Sequence, residues 1–340
     1  MNSSENKKPD AFADRLDRPV VSIGGQNAKW LEPEIRQEAD GWYRGEHVNF
    51  YREKWDVEKQ FDVGEIRQWV LKGWLPSAPF ITKDKLVTAF GSCFAWHIEK
   101  WLRQNGYKTS IGEYGGDPET SNYWSGSLII KCGEGFVNTF ALRSQFDWVF
   151  NDNEPELKIW QKSENVIREY IDSNKDAARK LFSETGVFVL TLGLSEVWYR
   201  RDTGQVLWTP VPKKHFDPNL YGFRVTTVEE NLVNLQFILD TVRKQLGNVP
   251  VVITLSPVPL TATFRPVSCV TANAVSKAIL RVAIDQFMTQ NSMDQSLFYF
   301  PSYELVTSFF RDAWDEDLVH PSHEAIESIM RAFQAFYCRS

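Results

Sequence analysis

The sequence predicts an α/β fold built on a parallel sheet, and three observations predict it. From Lys85 onward, short apolar runs alternate with stretches that repeat apolar residues at helical spacing. Two of the runs, 187–192 and 251–255, are apolar on both faces, as strands inside a parallel sheet must be. A third, 86–90, passes straight into a helical stretch through Gly91-Ser92-Cys93, a sharp strand-to-helix turn that leaves a small nucleophilic side chain at a helix start.

The elements follow in order. Residues 1 to about 15 are polar and frayed, and 16 to about 80 mix seven tryptophans and tyrosines (Trp30, Trp42, Tyr43, Tyr51, Trp55, Trp69, Trp74) with Pro19, Pro33, Pro76 and Pro79 as breakers. We read 1–84 as an N-terminal extension with one or two short helices around 57–72, packed on a main domain over 85–340. It covers a sheet edge or roofs the active site, and the sequence does not choose. The main domain carries strands at 86–90, 107–111, 187–192, 251–255 and 297–300, and helices at 96–105, 139–150, 163–182, 227–246, 272–290 and 322–337. The span 198–225 holds Gly204, Pro210, Pro212, Pro218 and Gly222 among aromatics. It reads as an excursion from the sheet, with a hairpin of 197–200 and 205–208 around Asp202-Thr203-Gly204. There is no internal repeat and no low-complexity tract.

Of 340 residues, 43% are hydrophobic and 24% charged, which is enough apolar material for one large folded unit. A net charge of -6 argues against nucleic acid or an anionic membrane as partner. Cys93, Cys132, Cys269 and Cys338 are far apart, with no C-x-x-C, so neither a zinc ribbon nor a disulfide framework is expected, and no metal. No apolar segment follows Met1 and no run approaches the ~18 apolar residues of a membrane span, so a soluble, cytoplasmic protein is expected. The 13 tryptophans fit a Trp-rich core or ring faces exposed to sugars.

In a parallel sheet, ligands bind beyond the carboxyl ends of the strands. Those ends carry Gly91-Ser92-Cys93, Gly193-Leu194-Ser195-Glu196, Ser256-Pro257-Val258-Pro259, and Pro301-Ser302-Tyr303-Glu304 with Asp317 and His320 beyond. Gly91 permits a tight turn, and the helix start behind it stabilises a thiolate or an oxyanion. Asp317-x-x-His320 precedes a helix near Ser322, so Asp317 can fix the tautomer of His320 as a general base. Read plainly, Gly-Ser is also a turn with an N-cap, Cys93 a small buried hydrophobe, and His320 a loop histidine. His97 lies four residues after Cys93 on the same helix face, in reach of its sulfur or simply structural.

Gly91-Ser92-Cys93-Phe94-Ala95 is the pentapeptide that names the GSCFA domain family. The chain resembles that family again at 135–139, 191–198, 256–259 and 299–304, so the resemblance spans about 85–337. The family is in turn similar to the SGNH hydrolases, esterases and acyltransferases. The resemblance implies a flavodoxin-like, doubly wound α/β/α sandwich. It matches Gly91 to the glycine, Ser92 to the aspartate and Cys93 to the serine nucleophile of the first SGNH block. Gly193 matches the third block, with Ser195 where an asparagine oxyanion donor is expected. Gly135 stands for the second-block glycine, with Asn138 beside it as a substitute donor, and Asp317 and His320 match the last block. The implied site has Cys93 as nucleophile with Ser92 beside it as the other candidate, and His320 as base and then acid, oriented by Asp317. Gly91, Gly135, Asn138, Gly193, Ser195 and Glu196 line its oxyanion and substrate side. The implied activity is ester hydrolysis or O-acyl transfer on an O-acylated glycan or other small ester. No cofactor is needed, although acyl-CoA would serve a transferase as co-substrate. The departures at Ser92 and Ser195 favour a second reading, a non-catalytic glycan-binding or interaction module on the same scaffold.

Overall fold

The computed structural model describes residues 57–110, 133–134, 137–153, 159–160, 167–168, 172–207, 211 and 213–339. In chain order the strands are β1 (Leu86–Gly91), β2 (Gly133–Glu134), β3 (Ile159–Trp160), β4 (Ile167–Arg168), β5 (Thr185–Leu192), β6 (Glu196–Arg200), β7 (Tyr221–Val225), β8 (Val251–Leu255) and β9 (Leu297–Tyr299). The helices are α1 (Val63–Trp69), α2 (Cys93–Gln104), α3 (Thr139–Asn151), α4 (Asp172–Glu184), α5 (Val228–Leu246), α6 (Cys269–Gln290), the short α7 (Ser302–Glu304) and α8 (His323–Tyr337).

β2-β1-β5-β8-β9 form one sheet in that order, with every neighbouring pair parallel. Counting only these five strands, the order is second, first, third, fourth, fifth. That is the flavodoxin-like arrangement, whose switch point falls between its first and third strands, here β1 and β5. Side chains alternate across the sheet. Phe90, Phe188, Leu190 and Ile253 face α3, α4, α5 and α6 in one core. Val87, Ala89, Val189 and Val252 face α2 and α8 in the other. Each such side chain, taken fully from water, contributes roughly 1.5–3 kcal/mol before entropy is counted. The sandwich is therefore doubly wound, as expected.

Most elements fall where their sequence signals lie, because those signals are local. Thr227 and Glu230 close a reciprocal capping box at the start of α5. Ser322 caps α8 through Ala325 N–H. Two expectations need correction, and a third needs extension. The strand expected at 107–111 makes one isolated bridge, Thr109 to Val87, and Ile111 lies outside the described residues. Lys108 O accepts from Val87 N–H of β1 at 3.0 Å, but Lys108 N–H turns to Lys83 O at 3.4 Å and the Ser110 hydroxyl to the Glu99 carboxylate. The helix expected at 163–182 begins only at Asp172, because Ile167–Arg168 is paired antiparallel with Ile159–Trp160. In the excursion, β6 pairs over its length with β7, from Glu196↔Val225 to Arg200↔Tyr221. On its other edge β6 meets the anticipated hairpin partner, through the Tyr199↔Val206 bridge and the bonds from Leu207 N–H to Trp198 O at 2.8 Å and from Arg200 N–H to Gln205 O at 2.9 Å, and Trp208 lies outside the described residues. Gly222 gives the Tyr199 ring room beside β7, since a Cβ there would sit 2.5 Å from that ring.

Of the N-terminal stretch, 57–84 is described. α1, capped by Asp62, buries Ile66 in the second core, where Leu71, Leu75 and Ile81 join it. The Ser328 hydroxyl donates to Phe61 O at 2.6 Å, the Tyr337 hydroxyl to Trp74 O at 3.3 Å, and Ile81 bridges Cys338. This part thus covers α8 on the outer face of the sandwich.

Candidate active site at the carboxyl edge of the sheet

β1 turns into α2 through a backbone that only glycine fits. Gly91 has φ +133, and a Cβ on it would lie 2.1 Å from Thr191 O across the switch point. Ser92 is then pinned. Its N–H donates to Thr191 O at 3.0 Å and to Thr191 Oγ1 at 2.7 Å, and its hydroxyl meets Thr191 Oγ1 at 2.9 Å. The same hydroxyl caps α2 by accepting from Phe94 N–H at 3.3 Å. Ser92 is buried and engaged, whereas Cys93, the first residue of α2, is partly exposed. Phe94, Ala95, Ile98 and Leu102 seat the helix on the second core, and buried Glu99 fastens it to β1 by accepting from Ala89 N–H at 2.9 Å.

His320 and Asp317 occupy the loop before α8. Asp317 Oδ1 accepts from the N–H groups of Val319 and His320, both at 2.9 Å, and Oδ2 lies 2.6 Å from His320 Nδ1. Leu318, left-handed at φ 54, and the Trp314↔Pro321 bridge shape the turn. The hydrogen bond from the His320 ring, with two backbone N–H groups, holds the Asp317 carboxyl down at about 2. An ionised acceptor at Nδ1 places the ring proton there and leaves the Nε2 lone pair available. His97 lies within electrostatic reach of His320. Burial, with Lys100 and His320 adding to it, lowers His97 to about 4, so its ring is neutral at ordinary pH.

Beside β1, the turn after β5 is clamped to the start of α3. Gly193 N–H donates to Val137 O at 2.7 Å, and Leu194 N–H to the same oxygen at 3.2 Å. A Cβ on Gly193 would lie 2.8 Å from that of Val137. Asn138 therefore stands next to Gly193. Its Oδ1 caps α3 through Ala141 N–H at 2.9 Å, while its Nδ2 has no acceptor among the described residues. Gly135 lies outside the described residues. Ser195 is fully buried. Its N–H donates to Ser276 Oγ at 2.8 Å, its carbonyl accepts from Thr226, and its hydroxyl has no partner among the described residues. Glu196 is buried too, its carboxylate accepting from Thr263 Oγ1 at 2.8 Å, with Arg265 at 3.9 Å. Ser195 and Glu196 thus hold the turn and the β6–β7 hairpin in place from below the surface.

Sequence reasoning missed Lys277. It lies on α6 and is 1% exposed, and its ammonium donates to Gly193 O at 2.6 Å and Ser256 O at 2.8 Å. Burial lowers it to about 7, and Cys93 pulls in the opposite direction. The signal was available, because Lys277 shares a helical stripe with Leu280 and Ile284 and stands where an apolar residue belongs. Among the described residues, no group of three His, Cys, Asp or Glu side chains is placed to hold a metal ion, and no helix is long and apolar enough to cross a membrane.

No curated protein matches the chain. Among solved structures, it is similar to a carbohydrate esterase family 3 protein from Talaromyces cellulolyticus, at 12% identity, with 74% of this chain and 95% of that chain covered and a TM-score of 0.38. It is also similar to a GDSL-like lipase from Bacteroides thetaiotaomicron, at 10% identity, with 81% and 97% covered and a TM-score of 0.37. These superpositions are loose, and the fold assignment rests on the strand order and registers above. The GSCFA family model matches residues 86–333, from the first residue of β1 into α8. Over that span, which holds the elbow at Gly91, the clamp at Gly193 and the Asp317–His320 pair, the chain belongs to the GSCFA family.

Proposed function

We propose that the protein is an acyl ester hydrolase or O-acyltransferase in which Cys93 is the nucleophile. The observation that carries this reading is the hydrogen bond between His320 Nδ1 and Asp317, which leaves Nε2 as a base, in a chain that also starts α2 on a partly exposed thiol. Cys93 Sγ bonds to the acyl carbon as the ester C–O bond breaks. The thiol proton passes to His320 Nε2 and from there to the departing alcohol oxygen. Water then attacks the thioester, its proton going through the same imidazole, to release the acid and restore the thiol. In a transferase an acceptor hydroxyl takes the place of water, and with acyl-CoA as donor the first leaving group is the CoA thiol. The Cys93 N–H and the Asn138 amide are the oxyanion donors of this reading.

The substrate class we favour is an O-acylated glycan. Support comes from the aromatic group on the hairpin and the β8–α6 loop, where Trp198 meets Phe264 at 4.7 Å and Phe216 at 5.5 Å. Phe264 is 60% and Phe216 43% exposed, and such ring faces suit the apolar faces of sugars. The buried Ser195 hydroxyl, which offers a ligand nothing, is what favours the second reading of a non-catalytic glycan-binding module.

Turnover of p-nitrophenyl acetate, acetylated oligosaccharides and acetyl-CoA, by wild type and Cys93→Ala, tests the proposal. Turnover of any of them that Cys93→Ala abolishes supports it, and the preferred donor separates hydrolase from transferase. Binding of the oligosaccharide without turnover overturns it in favour of the module.

A further inference from the structure

Lys277 has no part in the reaction as written above, yet its position is hard to account for as packing. Its ammonium is 1% exposed and forms no ion pair among the described residues. The buried carboxylate of Glu196 is engaged by Thr263 and Arg265. Two carbonyls satisfy two of its three protons, and a buried cation with only dipoles for company is expensive to keep. The sheet register says what else is near. Gly91 pairs with Thr191, so two residues further along each chain Cys93 and Gly193 both leave the carboxyl edge at the switch point. The ammonium sits on Gly193 O, and it interacts electrostatically with Cys93.

We propose that Lys277 is the fixed counter-charge of Cys93, a positioning residue that holds the sulfur as a thiolate from the protein side while solvent and substrate reach it from the other. The other titratable groups around Cys93 do not duplicate this. His97 on the same helix face is neutral above about pH 5, being lowered to about 4, and His320 is held through Nδ1 by Asp317. The helix N-terminus adds a partial charge, but Ser92 already caps it. α6 also explains the precision of the arrangement. Neighbouring Ser276 accepts from Ser195 N–H at 2.8 Å, so one dipeptide fixes both ends of the 193–195 turn against the ammonium. With the thiolate formed in advance and its proton already passed to His320 Nε2, that imidazole is left to protonate the leaving group. The inference rests on Cys93 being the nucleophile proposed above, but its test needs no turnover.

The test is the pH profile of Cys93 alkylation by iodoacetamide, read by peptide mass spectrometry, in wild type, Lys277→Met and Lys277→Arg. Methionine keeps the length and removes the charge. The expected result is a thiolate titration well below the ~8.5 of a free thiol in wild type. In Lys277→Met it moves up by one unit or more, so that alkylation at pH 6 slows about tenfold or more, and arginine restores it in part. A Cys93 profile that does not move in folded Lys277→Met overturns the proposal, and so does an ordinary thiol profile in wild type. If Lys277→Met does not fold, the reciprocal measurement decides. The Lys277 Nζ titration, followed by NMR in 15N-lysine protein, must fall in Cys93→Ala, because coupling between two groups is mutual; an unchanged titration sinks the idea. The two readings fail separately. A Cys93 that answers to Lys277 but turns over no ester removes the esterase and leaves the counter-charge. Cys93-dependent turnover with an unmoved profile does the reverse.

Discussion

Gly91 and Thr191 approach so closely across the switch point that a single added methyl would lie 2.1 Å from the Thr191 carbonyl oxygen. The contact welds the turn that bears Cys93 to the strand that ends at Gly193. Gly91→Ala must open that contact and also adopt a backbone at φ +133. We expect a loss of about 3 kcal/mol or more, read as a lower urea midpoint at unchanged m-value. Thr191→Val keeps the carbonyl and removes the hydroxyl that meets Ser92, and should cost about 1–2 kcal/mol by the same assay.

Asn138 separates two roles. Asp at this position retains the cap on α3 but lacks the amide donor. Asn138→Asp should therefore unfold within about 0.5 kcal/mol of wild type, yet lower kcat on an acyl ester by about 10²-fold or more if the amide serves the oxyanion. Equal kcat in the two proteins would exclude Asn138 from the oxyanion site.

For Asp317 the sign of the pH dependence is set by a folded value near 2, below the ordinary 3.8. Whatever orientation Asp317 gives His320 is complete above about pH 4 and is lost only as pH falls through about 2. The rate profile between about pH 5 and 8 should carry no inflection from this carboxylate. Asp317→Asn should lower kcat/KM by about 10²-fold with little change in thermal midpoint, since the pair is exposed. A large drop in the midpoint would make the pair structural instead.

The thiols should rank by environment. Burial pushes Cys338 up to about 12, so it stays unmodified by iodoacetamide at pH 7 in the native protein and reacts after denaturation. Cys93 should be the first to react. Native labelling of Cys338 ahead of Cys93 would contradict both environments.

How much of this was legible in the sequence follows from the range of each signal. The elbow, the caps at Thr227 and Ser322 and the both-face apolar strands β5 and β8 are written in contiguous residues, and they stand where local physics puts them. The hairpin partner of β6 at 205–207 was legible, being only a turn away, but its second partner β7 was not, because that strand starts about twenty residues further on. Asp317-x-x-His320 was readable as a pair, since three residues suffice to close it. The engagement of Ser92 by Thr191 was not, because that contact joins residues 99 apart. Lys277 lay in plain view within an apolar stripe, but only the folded chain puts its ammonium under Gly193.

The β6–β7 hairpin is anchored at its base by Ser195 and Thr226, by Glu196 and Thr263, and by Ser276 beneath the turn, and midway by Trp198 and Phe223 against Phe264. Its outer parts at 201–204 and 218–220 are exposed. The chain has thereby divided labour along a single excursion. The base beside the Gly193 turn is fixed by α6 and the sheet edge, while the far end is tied to itself, through Arg201 to the carbonyls of Pro218, Leu220 and Tyr221. Substitutions in that outer end therefore alter the surface it presents without touching the contacts that seat the Gly193 turn.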